Sequence, residues 1–168
     1  MHRPDPRRRL LLAMLPAAAI AGCGFTLRRA TELPFQRIHL QGFEKRSLLA
    51  EELSRSLPTT VQVVATPAQA EVVLQSLGET RGKSVVASTA AGQVRTFNLR
   101  LRFDFRVGTP DGRDLIAATN IALSRDMSYN ETVALSKSLE EAELFAAMEA
   151  DIVQQLLRRL ARVSHVSG

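Results

Sequence analysis

Catalytic chemistry needs side chains that converge, and this sequence offers few that could. Beyond residue 22 it holds two histidines, His39 in a strand-like run and His165 three residues from the end. No serine stands in a nucleophile elbow, no Cys/His set has metal-ligand spacing, and no glycine-rich loop joins a strand to a helix. The acidic pairs Glu51-Glu52 and Glu140-Glu141 are neighbours in helical stretches, so their side chains diverge. A general acid/base couple needs two groups aimed at one substrate. The inventory predicts no catalytic residue, no metal and no cofactor, and a chain that is not an enzyme. Two features remain. Cys23 is the only cysteine, and Arg100, Arg102 and Arg106 recur on alternate positions of one run. Arginine's planar fork grips phosphate or carboxylate through paired hydrogen bonds.

The context of Cys23 gives it meaning. Arg7-Arg8-Arg9 precede an apolar run, Leu10 to Gly24, that exits through small residues. A basic head, an apolar run and a small-residue exit is the layout of a secretory signal peptide. The run is shorter than the ~20 residues a transmembrane helix needs, and Pro16 interrupts it. Ile20-Ala21-Gly22-Cys23 resembles a bacterial lipobox: an aliphatic residue, two small residues, then cysteine. That resemblance implies a diacylglycerol on the Cys23 thiol, cleavage before it and acylation of the new amine. Two or more chains, at roughly 0.8 kcal/mol per buried CH₂, make a stable anchor. The other reading of Cys23 is an ordinary buried thiol. Gly24, where an Asp would signal retention, implies the outer membrane by the general sorting rule for such lipoproteins.

Of the 168 residues, 146 follow the signal, enough for one domain with one core. Hydrophobic content of 45% predicts a globular fold. The net charge of +5 is misleading, because residues 1–22 carry four Arg against one Asp. The remainder has 18 basic and 16 acidic residues, which removes the compositional case for a nucleic-acid partner. No second cysteine offers a disulfide.

Residues 23–34 look like a lipidated tether. Phe35 to Leu40 reads as a first strand, and Ser47 to Leu57 as a helix with leucines at four-residue spacing, capped by Ser47 and stopped by Pro58. Val61 to Val64 is a short strand. Glu71 to Leu77 starts a strand that can continue through Val85-Val86. Val94 to Val107 has the clearest periodicity: Phe97, Leu99, Leu101, Phe103, Phe105 and Val107 share one face, with polar residues on the other. After a Thr109-Pro110-Asp111-Gly112 turn, Leu115, Ala117, Thr119, Ile121 and Leu123 alternate again. The chain turns polar after Arg125. A helix from about Ser136 to Arg162 carries the stripe Phe145, Met148, Ile152, Leu156, Leu160 and Val163, and Ser138 with Glu141 fits a capping box. The expected fold is α+β: a mostly antiparallel four- to five-stranded sheet with two helices packed on one face, over residues 35–163. Residues 164–168 form a tail.

Such a sheet leaves one face uncovered, and Arg100, Arg102 and Arg106 project from it with Asp104 among them. It is either a solvated outer face or an anion-facing surface. Arg81, Lys83 and Arg95 lie toward the far hairpin end and would extend it. Asp104 is expected to pair with one arginine neighbour.

The chain resembles the lipopolysaccharide-assembly lipoproteins of the LptE (RlpB) family. The matching residues are Ala21-Gly22-Cys23-Gly24-Phe25, Leu27-Arg28, Leu33-Pro34, Arg125, Tyr129-Asn130, Ala134-Leu135-Ser136-Lys137, Glu140, Gln155-Leu156, and Arg158-Arg159-Leu160. The resemblance implies an outer-membrane lipoprotein, anchored to the inner leaflet and standing in the lumen of an LptD-type β-barrel. It implies that the protein plugs and helps assemble that barrel, one to one, and contacts lipopolysaccharide on its way to the cell surface. Lys137 occupies the family's basic position ahead of the last helix, implicated in lipopolysaccharide contact. A second family basic position precedes the hairpin glycine, here Gly92, and its equivalent falls near Ala90, so Arg95 or Lys83 would substitute. The runner-up is a tethered lipid-transport or envelope adaptor without a barrel partner. A periplasmic hydrolase would need a pocket holding a base and a nucleophile.

Overall fold

A computed structural model of the chain describes residues 32–163. The expected signal peptide, Cys23, most of the expected tether, His165 and the rest of 164–168 lie outside the described residues.

Five strands form one sheet in the order β2-β1-β3-β4-β5. They are β1 (Arg37–Gln41), β2 (Gln62–Val63), β3 (Val72–Ser88), β4 (Val94–Gly108) and β5 (Asp114–Ser128). Helices α1 (Leu48–Ser56) and α2 (Ala134–Leu160) complete the fold. The three long strands form the expected antiparallel meander. The other two do not continue it, because β1 runs parallel to both β2 and β3. The sheet is therefore mixed. A strand that returns to its neighbour through a crossover helix must arrive parallel, and α1 is that crossover.

Helix α1 begins as its sequence dictates: the Ser47 hydroxyl accepts from the Ala50 N–H at 3.1 Å. Its Leu49 and Leu53 are fully buried. Gly42, at the end of β1, has φ +77°, and a Cβ there would stand 2.5 Å from the Ser76 carbonyl oxygen. Only glycine meets both demands.

The core is built on β4. Leu99, Leu101, Phe103, Phe105 and Val107 are all inaccessible to solvent. Phe103 stacks on Phe105 with centroids 5.3 Å apart and on Phe43 at 5.7 Å. Met148, Ile152, Val153, Leu156, Leu157 and Leu160 of α2 and Leu49 and Leu53 of α1 join the same cluster, so both helices cover one face.

Three local expectations change. The inner face of β5 takes Ile116, not Ala117, opposite Val107, because a bulge lies between that pair and Phe105↔Thr119. β5 runs on to Ser128, where the polar sequence suggested a loop, since Met127 is buried opposite Phe97. Ser138 does not cap α2, whose helix starts four residues earlier; its hydroxyl donates to the Leu135 carbonyl. The chain instead enters through a 3₁₀ turn, Glu131–Val133, where the Asn130 side chain accepts from the Thr132 N–H.

Phe103→Ala removes the ring at the centre of this cluster. Its expected cost is about 3–5 kcal/mol in denaturant unfolding.

Candidate functional site

From Thr96 to Arg106 the outward positions of β4 are Thr96, Asn98, Arg100, Arg102, Asp104 and Arg106, none of them apolar. Arg102 and Asp104 form a two-bond pair, with Nε to Oδ2 at 2.8 Å and Nη2 to Oδ1 at 2.6 Å. The bond to Arg102 holds the Asp104 carboxyl below the ordinary carboxylate range. Arg100 and Arg106 are held differently. Arg100 Nε donates to Asn98 Oδ1 at 2.8 Å, and Arg106 Nε donates to Gln75 Oε1 at 2.7 Å. A neutral amide orients a guanidinium without cancelling its charge. Small residues flank this row. Gly82 and Ser124 stand opposite Arg100, and Thr80 and Ala122 opposite Arg102.

Arg81 and Lys83 do not extend the row. A bulge at Leu77 shifts β3 by one residue, so Arg81 stands opposite Leu101 and Lys83 opposite Leu99, on the helix side. A one-residue slip moves every later side chain to the other face. Arg81 pairs with Glu79 and Glu149 and lies 5.5 Å from the centroid of the Phe145 ring. Lys83 pairs with Glu141 and sits 4.2 Å over the Phe97 ring.

The distal end gathers the basic candidates around one aromatic pair. Phe97 and Tyr129 meet edge to face at 5.0 Å. The Arg95 carbonyl accepts from the Tyr129 N–H, and Arg95 Nη2 donates to Gln93. Lys137 Nζ donates to Ser128 Oγ at 3.1 Å and to Glu140 at 2.6 Å. Leu135 and Leu139, on the same turns of α2, are 79% and 64% exposed. His39 is occupied in the sheet, its Nδ1 donating to the Val64 carbonyl at 3.0 Å. Among the described residues no three His, Cys, Asp or Glu side chains form a metal-binding group.

The residue that sequence reading missed is Glu149. It interrupts the apolar stripe of α2 and is 4% exposed. Burial raises its pKa, and the Arg81 charge partly offsets that rise.

A model of the lipopolysaccharide-assembly family LptE matches residues 35–160. The chain belongs to the LptE family. It is 28% identical over 160 residues to the LPS-assembly lipoprotein LptE of Yersinia enterocolitica, covering 92% of this chain and 76% of that protein. For the LPS-assembly lipoprotein LptE of Photorhabdus laumondii the figures are 25% over 162 residues, 94% and 88%. Lipoprotein B from Nitrosomonas europaea, solved in solution, superposes with a TM-score of 0.70 at 29% identity, covering 82% of this chain and 90% of that one. The rare lipoprotein B crystal structure from Shewanella oneidensis shares the fold, with a TM-score of 0.65, 21% identity, and 75% and 94% coverage. In this LptE-family chain the arginine face and the distal basic cluster are separate features on opposite sides of the sheet.

A carboxyl with a raised folded-state pKa binds its proton more tightly when folded. It contributes stability below 4.5, its ordinary value, which is lost as pH rises through the raised value. Glu149→Gln removes that contribution. The melting-temperature advantage of the natural chain over the variant is therefore expected to shrink as pH rises from 4.5.

Proposed function

We propose that this LptE-family chain is an outer-membrane lipoprotein, acylated at Cys23, that stands in the lumen of an LptD-type β-barrel. There it plugs the barrel, helps its assembly and takes part in delivering lipopolysaccharide to the cell surface. The role is that of a binding and assembly protein, not an enzyme. The observation that carries the reading is the uncovered polar face of β4. A barrel lumen is lined by polar side chains, and a plug must meet it with polar ones. Arg100 and Arg106 offer unneutralised forks to carboxylates on such a wall. The lipid on Cys23 would tether the domain to the inner leaflet of the outer membrane.

Lipopolysaccharide contact belongs to the distal end in this reading. Its phosphates suit Lys137, Lys83 and Arg95, and its acyl chains suit the exposed Leu135 and Leu139. Lys137 and Lys83 already hold carboxylates, Glu140 and Glu141, so a phosphate must compete with them.

Affinity purification of the tagged, acylated protein from outer membranes is expected to recover one large barrel in equimolar amount. Recovery of the protein alone, or with soluble partners, favours the adaptor reading. Lipopolysaccharide binding by the purified protein is expected to fall when Lys137→Ala and Arg95→Ala are combined. Unchanged binding removes both residues from the contact.

A further inference from the structure

The distal end of the sheet has a buried patch of its own. Leu99 and Met127 are closed off from water, yet neither belongs to the cluster around Phe103. Met127 stands opposite Phe97, whose ring meets Tyr129 edge to face. The element over this patch is α2. Its Glu141 pairs with Lys83 of β3 and its Asp151 with Arg125 of β5, and both cations stand opposite Leu99. Its Lys137 donates to Ser128, the neighbour of Met127.

The first half of that cover is weakly held. None of residues 134–147 is buried, and Phe145 alone among them packs against the main core, half-buried. Leu135 and Leu139 face solvent. The Arg81–Glu149 pair, with its buried carboxylate, lies behind this stretch. Its own tie to β3 is the Lys83–Glu141 pair, with both partners partly exposed, and such pairs contribute little in water. A segment with few buried apolar contacts opens at lower cost than the whole domain.

The patch beneath is the complement of an anionic amphiphile. Leu99, Met127 and Phe97 are ringed by Lys83, Arg125 and Lys137, and Lys83 lies 4.2 Å over the Phe97 ring. The carboxylates that hold Lys83 and Lys137, Glu141 and Glu140, both come from the loose half of α2. A phosphate that takes these cations therefore releases the helix in the same act.

We infer that a phosphate taking Lys83 from Glu141 frees the first half of α2, and that an acyl chain of the same molecule then seats on Leu99, Met127 and Phe97. This rests on the reading of the distal end as the lipopolysaccharide contact. Leu99 and Met127 are inaccessible while α2 is down, so the chain binds only the open form and thereby populates it.

The test uses the full acylated chain and purified lipopolysaccharide. Glu141→Gln cuts the tie and leaves the patch and every cation in place. It is expected to bind lipopolysaccharide about threefold tighter, the worth of one partly exposed pair. Glu143 is exposed and in no ion pair among the described residues, so Glu143→Gln removes the same charge without a tie and is expected to change nothing. Equal or weaker binding by Glu141→Gln, or an equal gain from Glu143→Gln, overturns the inference. These measurements leave the patch untouched, so they stand if the next variant misfolds. Met127→Cys places a thiol under the cover, and with Cys23 acylated it is the one free thiol of the chain. Its alkylation is expected to quicken when Glu141→Gln is added. Lipopolysaccharide is expected to suppress that alkylation, whereas its deacylated form leaves it fast. A rate unmoved by Glu141→Gln, or equal rates with the two forms, overturns the inference while the contact reading stands. If the natural chain binds no lipopolysaccharide, the contact reading itself has failed.

Discussion

The structure depends on burying one side of β4. Five consecutive inward residues of that strand, two of them phenylalanines, are closed off from water, and four of them, Leu101 to Val107, pack in one cluster with residues of α1 and α2. Burying side chains of this size stabilises by roughly 1.5–3 kcal/mol each, the dominant favourable term for a domain without a disulfide. β4 lies between β3 and β5, so its pleat also sets which side of each neighbour faces the helices. The two faces then diverge in chemistry. One is an aromatic and aliphatic core, and the other is a row of arginines, amides and one aspartate.

The bulge at Leu77 divides β3 into two chemical halves. Before it, Val72 and Leu74 enter the core; after it, Glu79, Arg81 and Lys83 turn to the helix side, Glu79 to the Ser47 cap of α1 and the two cations to α2. α2 answers with Glu141 near its start and Glu149 just past its middle. The domain is therefore held by apolar packing at one end and by charge pairs with aromatic partners at the other. The partly exposed Lys83–Glu141 pair contributes little. The distal end, where Lys83 and Lys137 hold partly exposed carboxylates, is the part most readily reshaped by a ligand that competes for those charges.

Much of this was legible in the sequence. The strict alternation of β4, the Ser47 cap, the Thr109–Gly112 turn and the apolar stripe of α2 are local signals, and they stand as read. What was not legible depends on register. The one local signal of the extra residue is Gly78, a glycine inside a strand; the polar run around it has no alternation to fix which face follows, and Lys83 falls on the face opposite to its expected one. The parallel arrangement of β1 and β2 was encoded in strand, helix, strand order, but the helix was read only as cover for the sheet. Glu149 looked like one more acid on a long helix until Arg81 and its burial gave it a role. The boundary of β5 was missed because Met127 is a single apolar residue among polar ones.

The order of connections has a further consequence for how the chain comes together. The β3–β4 and β4–β5 hairpins close over connections of only a few residues, whereas β1 reaches β3 across a helix, a strand and a 3₁₀ turn. Closing a longer loop costs more chain entropy, and distant contacts slow assembly. The meander is thus the natural nucleus, onto which β1 and β2 dock late. Until they and α2 arrive, the phenylalanine face of β4 stays in water, and the newborn chain is at its most sticky during that interval.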